Sequence, residues 1–161
     1  MKYAVLVTSS FLAIVAQMFA GNNFSLFNFL DLALVLTAYW ALYHNRIQAL
    51  FMGSLTGLLL DAALGWPLGY NGFGKTLAAY LIATAVKRFN VEGTTVRFVL
   101  IAASSFASSL SIFILFALLQ RGSSKIFIGA SLLQAIITGA AGVLVLSIVD
   151  GYHRTRADRV S

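Results

Sequence analysis

Residues 98–120 read FVLIAASSFASSLSIFILFALLQ, without one Asp, Glu, Lys or Arg. A helix needs about 20 predominantly apolar residues to cross a hydrocarbon core ~30 Å thick, and this stretch supplies them. Two more runs behave alike: Tyr3 to Leu30 and Ile126 to Val149 also lack all four charged residues. Over the whole chain of 161 residues, apolar side chains make up 60% and charged ones 10%. The reading is an all-α integral membrane protein, one polytopic domain whose solvent is mostly lipid. Its short connections leave no room for a soluble catalytic domain, so any chemistry must sit on helices or tight turns.

Six spans are expected, at about 3–20, 26–43, 47–65, 69–86, 97–119 and 126–149. Gly21-Asn22-Asn23, His44-Asn45-Arg46, Gly65-Trp66-Pro67-Leu68-Gly69 and Arg121-Gly122-Ser123-Ser124-Lys125 punctuate them. Lys2 before an apolar run looks like a signal peptide, but the run is long and more apolar sequence follows, so it reads as a first span. Six spans put Lys2, Arg46, Lys87, Arg88, Arg97, Arg154, Arg156 and Arg159 on one side. Arg121, Lys125 and Lys75 fall on the other. Basic loops stay in the cytoplasm, which places both termini there; five spans would split the cations more evenly. Residues 150–161 then form a short, basic, mobile cytoplasmic tail suited to anionic headgroups. The net charge of +6 follows from this bias. No basic stripe with interleaved aromatics suggests nucleic acid.

With 1.5 Å rise per residue, three ionisable side chains fall at similar depth. Asp61 lies ~22 Å along the third span and ~7–8 Å from its outer edge; Asp31 lies ~8–10 Å and Lys75 ~12 Å below the outer surface. Ionisable groups within spans face the bundle interior or a cavity. Two readings are open. Asp31 and Lys75 snorkel outward while Asp61 is structural, or Asp61 pairs with Lys75, with Asp31 nearby, to fix a site. Gly53, Gly57 and Asp61 repeat at four-residue spacing on one face, and small-residue faces let backbones approach. They serve packing within the subunit or docking of another helix.

Catalysis finds little support. His44 and His153 are the only histidines, and both are expected at the cytoplasmic edge, away from the serines of the fifth span. Those serines satisfy themselves on the preceding turn or a neighbouring helix. There is no cysteine and no metal-ligand spacing. The stretch from Gly69 to Lys75 lacks the spacing of a phosphate-binding loop. No catalytic residue, metal or cofactor is expected.

The middle of the chain resembles the rod shape-determining MreD family of bacterial inner-membrane proteins. The resemblance rests on Asp31 through Tyr39-Trp40 in the second span, Gly53-xxx-Gly57-xxx-Asp61 in the third, and Leu68-Gly69 opening the fourth, with Lys75 beyond. It covers about fifty residues; the other spans match in hydropathy. It implies a non-enzymatic scaffold of the cell-wall elongation machinery in the inner (plasma) membrane. The partner would be an MreC-like single-span protein, linked onward to wall synthases and the MreB filament. Gly53, Gly57, Asp61, Gly69 and Lys75 would be the partner-binding residues, with Asp31 in the same polar cluster. The implied fold is like that of the six-helix substrate-binding subunits of energy-coupling-factor vitamin transporters. The alternative is such an importer subunit, its outward pocket lined by Asp31, Asp61, Lys75, Trp66 and Tyr70. A small exporter is weaker, lacking a repeat or a coupling acid at the midplane. On the scaffold reading, Gly57→Leu would abolish partner binding without lowering abundance.

Overall fold

A computed structural model describes residues 2–23, 30–89, 91, 93–120 and 127–157. They form six helices: α1 (Lys2–Asn23), α2 (Leu32–Tyr43), α3 (Arg46–Leu64), α4 (Tyr70–Arg88), α5 (Thr94–Gln120) and α6 (Phe127–Ala157). Among the described residues there is no strand. Arg46–Leu64, Thr94–Leu119 and Gly129–Gly151 are each long and apolar enough to cross a membrane. The apolar parts of α1 and α2, Val7–Gln17 and Leu32–Tyr43, are shorter. Together they make an all-α membrane bundle.

The helix ends follow local chemistry. Asp31 caps α2, its Oδ1 accepting the Leu34 N–H at 2.9 Å, the geometry that makes Asp a favoured first residue before a helix. The second helix therefore begins at Leu32 rather than at 26; of the expected span, residues 26–29 lie outside the described residues. Only His44 and Asn45 separate α2 from α3, so the pair forms a tight hairpin. The left-handed backbone of Gly65, with φ of 66°, ends α3. There the Trp66 N–H returns to the Asp61 carbonyl at 2.9 Å, and a side chain at Gly65 would be strained by that φ. Lys87 and Arg88 occupy the last turn of α4, where cations oppose the helix dipole. The last helix runs on through Ala157, so most of the basic tail continues α6.

At twelve residues α2 is the shortest helix, yet it lies at the centre and touches all five others. Ala33, Leu34, Val35, Thr37, Ala38, Trp40 and Ala41 are buried on it. The tightest pairing in the bundle is α3 on α4, followed by α5 on α6 and α4 on α5. The core that joins them is built largely of alanine: Ala38, Ala41, Ala49, Ala78, Ala79 and Ala83, with Leu34, Ile82, Ile101 and Leu146. Small side chains are what close approach of helices in lipid requires. Long apolar residues such as Ile114, Leu118, Leu144 and Ile148 point outward, as a lipid-facing surface should.

The end with the α2–α3 turn is tied by polar groups. Asp150 of α6 accepts hydrogen bonds from the Arg97 guanidinium of α5 and the Tyr43 hydroxyl of α2. The Arg97 Nε also donates to the Val91 carbonyl at 3.0 Å. Nearby, the Trp40 and His44 rings lie 3.8 Å apart, and the Arg46 guanidinium sits 4.4 Å from the centre of the Tyr80 ring. Aromatics and cations of this kind mark a membrane–water boundary.

Candidate functional site

The three ionisable residues meet at the opposite end, as their shared depth suggests, but their pairing differs from the expected one. Lys75 pairs with Asp31, Nζ to Oδ2 at 2.8 Å. Both are buried, at 1% and 5% exposure. Asp31 thus does two jobs with its two oxygens, capping α2 with one and neutralising Lys75 with the other.

Asp61, fully buried, serves instead as the cap of α4 across the turn. Its carboxylate accepts the backbone N–H of Gly69 at 2.9 Å, of Asn71 at 3.0 Å and of Gly72 at 3.3 Å, and the Asn71 Nδ2 at 2.8 Å. Gly69, the residue that would normally cap α4, has no side chain and a φ of 108°. The first N–H groups of a helix lack intrahelical partners, and the helix dipole favours an anion there. Asp61 meets both needs from α3. This is why it does not pair with Lys75: its acceptor capacity goes to the α4 terminus.

Asn71 connects the two carboxylate sites. Its Nδ2 donates to Asp61 while its Oδ1 faces the Lys75 Nζ at 3.4 Å. Sequence reading passed over Asn71; the available signal was an amide two residues after a glycine at a helix start. It also passed over Gln17 and Thr138. The Gln17 Oε1 accepts the Ala33 N–H at 3.2 Å, and the Thr138 Oγ1 accepts the Asp31 N–H at 3.2 Å. Through these, the start of α2 is fixed to α1 and α6 as well as α4.

The glycine face meets α4 of the same chain. A Cβ at Gly53 would lie 2.6 Å from the Lys75 carbonyl oxygen, and one at Gly57 2.4 Å from that of Asn71. Between α2 and α3, the Thr37 and Thr56 hydroxyls lie 3.2 Å apart. The stripe is therefore covered by its own neighbour helix, which leaves no open groove there for another helix.

Beside this network lies a cavity of about 390 Å³, bounded by Gln17, Asp31, Trp66, Asn71, Ser131 and Gln134, among others. Of the pocket residues expected on the importer reading, Asp31 and Trp66 line it. Asp61 and Lys75 are sealed into their bonds behind it. Tyr70 is buried and packs edge-on against Phe116, ring centres 5.7 Å apart.

This geometry is that of an internally satisfied polar clamp holding α2, α3 and α4 in register. Among the described residues, no group of His, Cys, Asp and Glu is arranged to hold a metal. The profile of the rod shape-determining protein MreD family matches residues 1–154, all six helices but for the last three residues of α6. The chain belongs to the MreD family. No curated protein and no solved structure matches it, so neither the importer reading nor the likeness to energy-coupling-factor subunits gains support. Membership in that family makes it a membrane protein of rod-shape determination, and the clamp holds its α3–α4 hairpin.

The clamp is testable at Asp61. Asp61→Ala leaves the N–H groups of Gly69, Asn71 and Gly72 without their acceptor. A lost cap costs ~0.5–2 kcal/mol, and each buried unsatisfied donor ~1–3 kcal/mol. Water can reach the half-buried Gly69, so the loss rests on the two buried donors of Asn71 and Gly72 and should be roughly 2–6 kcal/mol. Hydrogen exchange at residues 69–72 should accelerate while exchange in α6 stays unchanged. Unaltered protection at 69–72 would show that the carboxylate is not the cap.

Proposed function

We propose that this MreD-family chain is a non-enzymatic scaffold of the cell-wall elongation machinery in the bacterial inner membrane. Its direct partner is the transmembrane region of an MreC-like single-span protein, through which it reaches the wall synthases and the MreB filament. The observation that carries this reading is the family match, which spans all six helices rather than a local motif. Gly53, Gly57, Asp61, Gly69, Asp31 and Lys75 serve the partner by holding the α3–α4 hairpin in one shape. Contact falls to what that hairpin exposes: Leu64, Trp66, Leu68 and Phe73, four apolar side chains from 44% to 71% exposed on and around one turn.

Copurification tests the assignment. Leu68→Asp should greatly reduce recovery of the MreC-like partner and round up rod-shaped cells, with the protein still abundant. Ile148→Ala, on the outward face of α6, should change neither. Wild-type partner recovery with Leu68→Asp and Phe73→Asp together would move the interface away from the α3–α4 hairpin.

Orientation has its own test. The chain has no cysteine, so each introduced thiol is unique. Cysteines at Asn22 and Ser123 should react with an impermeant reagent added outside; those at Asn45, Gly93 and Ser161 should not. Reaction of Asn45 and Ser161 cysteines from opposite sides would overturn the arrangement with both termini in the cytoplasm.

A further inference from the structure

The cavity beside the clamp has a chemistry that partner docking at the hairpin does not use. Its size of about 390 Å³ falls within the ~300–1,000 Å³ typical of small-ligand sites. Leu60, Leu64 and Ile112 supply apolar wall, while hydrogen-bonding groups converge from four helices. Gln17 of α1 spends its Oε1 on Ala33 and keeps its amide N–H groups. Gln134 of α6 accepts from the Ser109 hydroxyl at 3.4 Å and likewise keeps its own. Ser131 is 4% exposed and lines the cavity with its hydroxyl-bearing side chain. Trp66 stands at the edge, 44% exposed, with an indole face suited to stacking.

Charge narrows the ligand. The one carboxylate on the wall, Asp31, is neutralised by Lys75 at 2.8 Å, so the lining offers no uncompensated charge. An ionic ligand would enter a low-dielectric site without a counter-ion, which is costly. A purely apolar ligand would strand the Gln17 and Gln134 amide donors. What fits is a neutral group rich in oxygen acceptors, with a face to lay against Trp66. We propose that this cavity binds a neutral, hydroxyl- and amide-bearing group of about monosaccharide size, presented from the outer side. The group belongs either to a free solute or to the headgroup of a membrane glycolipid, since both carry the same chemistry. The outer placement rests on the orientation proposed above, and the site shares Leu64 and Trp66 with the partner contact proposed there.

Ser131→Cys creates a unique thiol in the cavity of a chain without cysteine, and it is a small change that should preserve the fold. Maleimide labelling of this variant in nanodiscs reads occupancy. N-acetylglucosamine, which carries both hydroxyls and an amide, tests the free source. Glucosyl-diacylglycerol in the nanodisc, against phosphatidylcholine alone, tests the lipid source. One of the two should slow labelling about threefold at twice its Kd, as occupancy of a single site requires. Gln134→Ala in the same background should weaken that protection. Glutamate and spermidine should give none, and Ile148→Cys on the outward face should be unaffected by any addition. Protection by the free sugar alone, or by the glycolipid alone, assigns the source. No slowing with either probe, or equal slowing by the charged solutes, overturns the proposal and leaves a water-filled vestibule.

Discussion

Gly57→Leu is expected to deplete the folded protein rather than spare it. A Cβ at Gly57 would lie 2.4 Å from the Asn71 carbonyl oxygen and 2.5 Å from the Gly72 Cα. Those are backbone atoms of a helix, which cannot swing aside as a side-chain tip would. One inserted methyl in a well-packed interior costs ~1–3 kcal/mol, and an isobutyl group needs the helices to separate. Separation also pulls Asn71 and Gly72 away from Asp61, so the α4 cap fails with the packing. At roughly 2–4 °C per kcal/mol for a domain of this size, even Gly57→Ala should lower the melting temperature by several degrees in detergent. Gly129→Ala, where no atom lies within 4 Å of the added carbon, should be nearly silent. The sequence suggested the opposite for Gly57, a normal abundance with the partner lost, because a small-residue stripe does not say which helix covers it. Wild-type abundance and melting of Gly57→Leu would mean that α3 and α4 do not touch there.

Depth along a span was legible and direction around it was not. The rise per residue was enough to put Asp31, Asp61 and Lys75 at one level, and they do meet at one end of the bundle. Which partners they choose depends on how each helix is rotated and where it begins. Asp61 could be assigned to Lys75 only by ignoring the start of α4, whose glycine at position 69 cannot cap it. Once that terminus needs an acceptor, the carboxylate on the facing helix supplies one and Lys75 is left to Asp31. The same neglect of helix ends hid the role of Asp31 as the cap from which α2 starts at Leu32. The gross fold was simpler to read, since uncharged runs such as 98–120 leave no competing option. Asp150 was placed at the head of a mobile tail because its partners, Tyr43 and Arg97, are far off in sequence. The cavity was invisible for a related reason. Gln17, Ser131 and Gln134 are unremarkable one at a time and converge only when α1 and α6 are both set against α2.

The ion pair gives the sharpest test of this arrangement. Lys75→Met should remove the countercharge from Asp31, whose carboxylate is 5% exposed. Breaking a buried pair from one side costs ~3–5 kcal/mol. Asp31→Asn leaves the Lys75 ammonium with the Asn71 Oδ1 at 3.4 Å, a weak substitute, so a loss of similar size is expected. Asparagine keeps an oxygen for the Leu34 N–H and is itself a good cap; the substitution therefore isolates the charge from the α2 terminus. The double change, Asp31→Asn with Lys75→Met, removes both charges at once and should restore most of the melting temperature, since a neutral pair of similar volume is often as stable as a buried ionic one. Asp61→Asn with Lys75→Met should instead come close to the sum of its single losses, with only a small deviation carried through Asn71. Residues in direct contact couple by ~0.5–3 kcal/mol, and residues without shared contacts add. Melting in detergent of the five variants and the wild type decides between the pairings. Additive losses for Asp31 with Lys75, together with recovery for Asp61 with Lys75, would return the ion pair to Asp61 and remove the clamp described above.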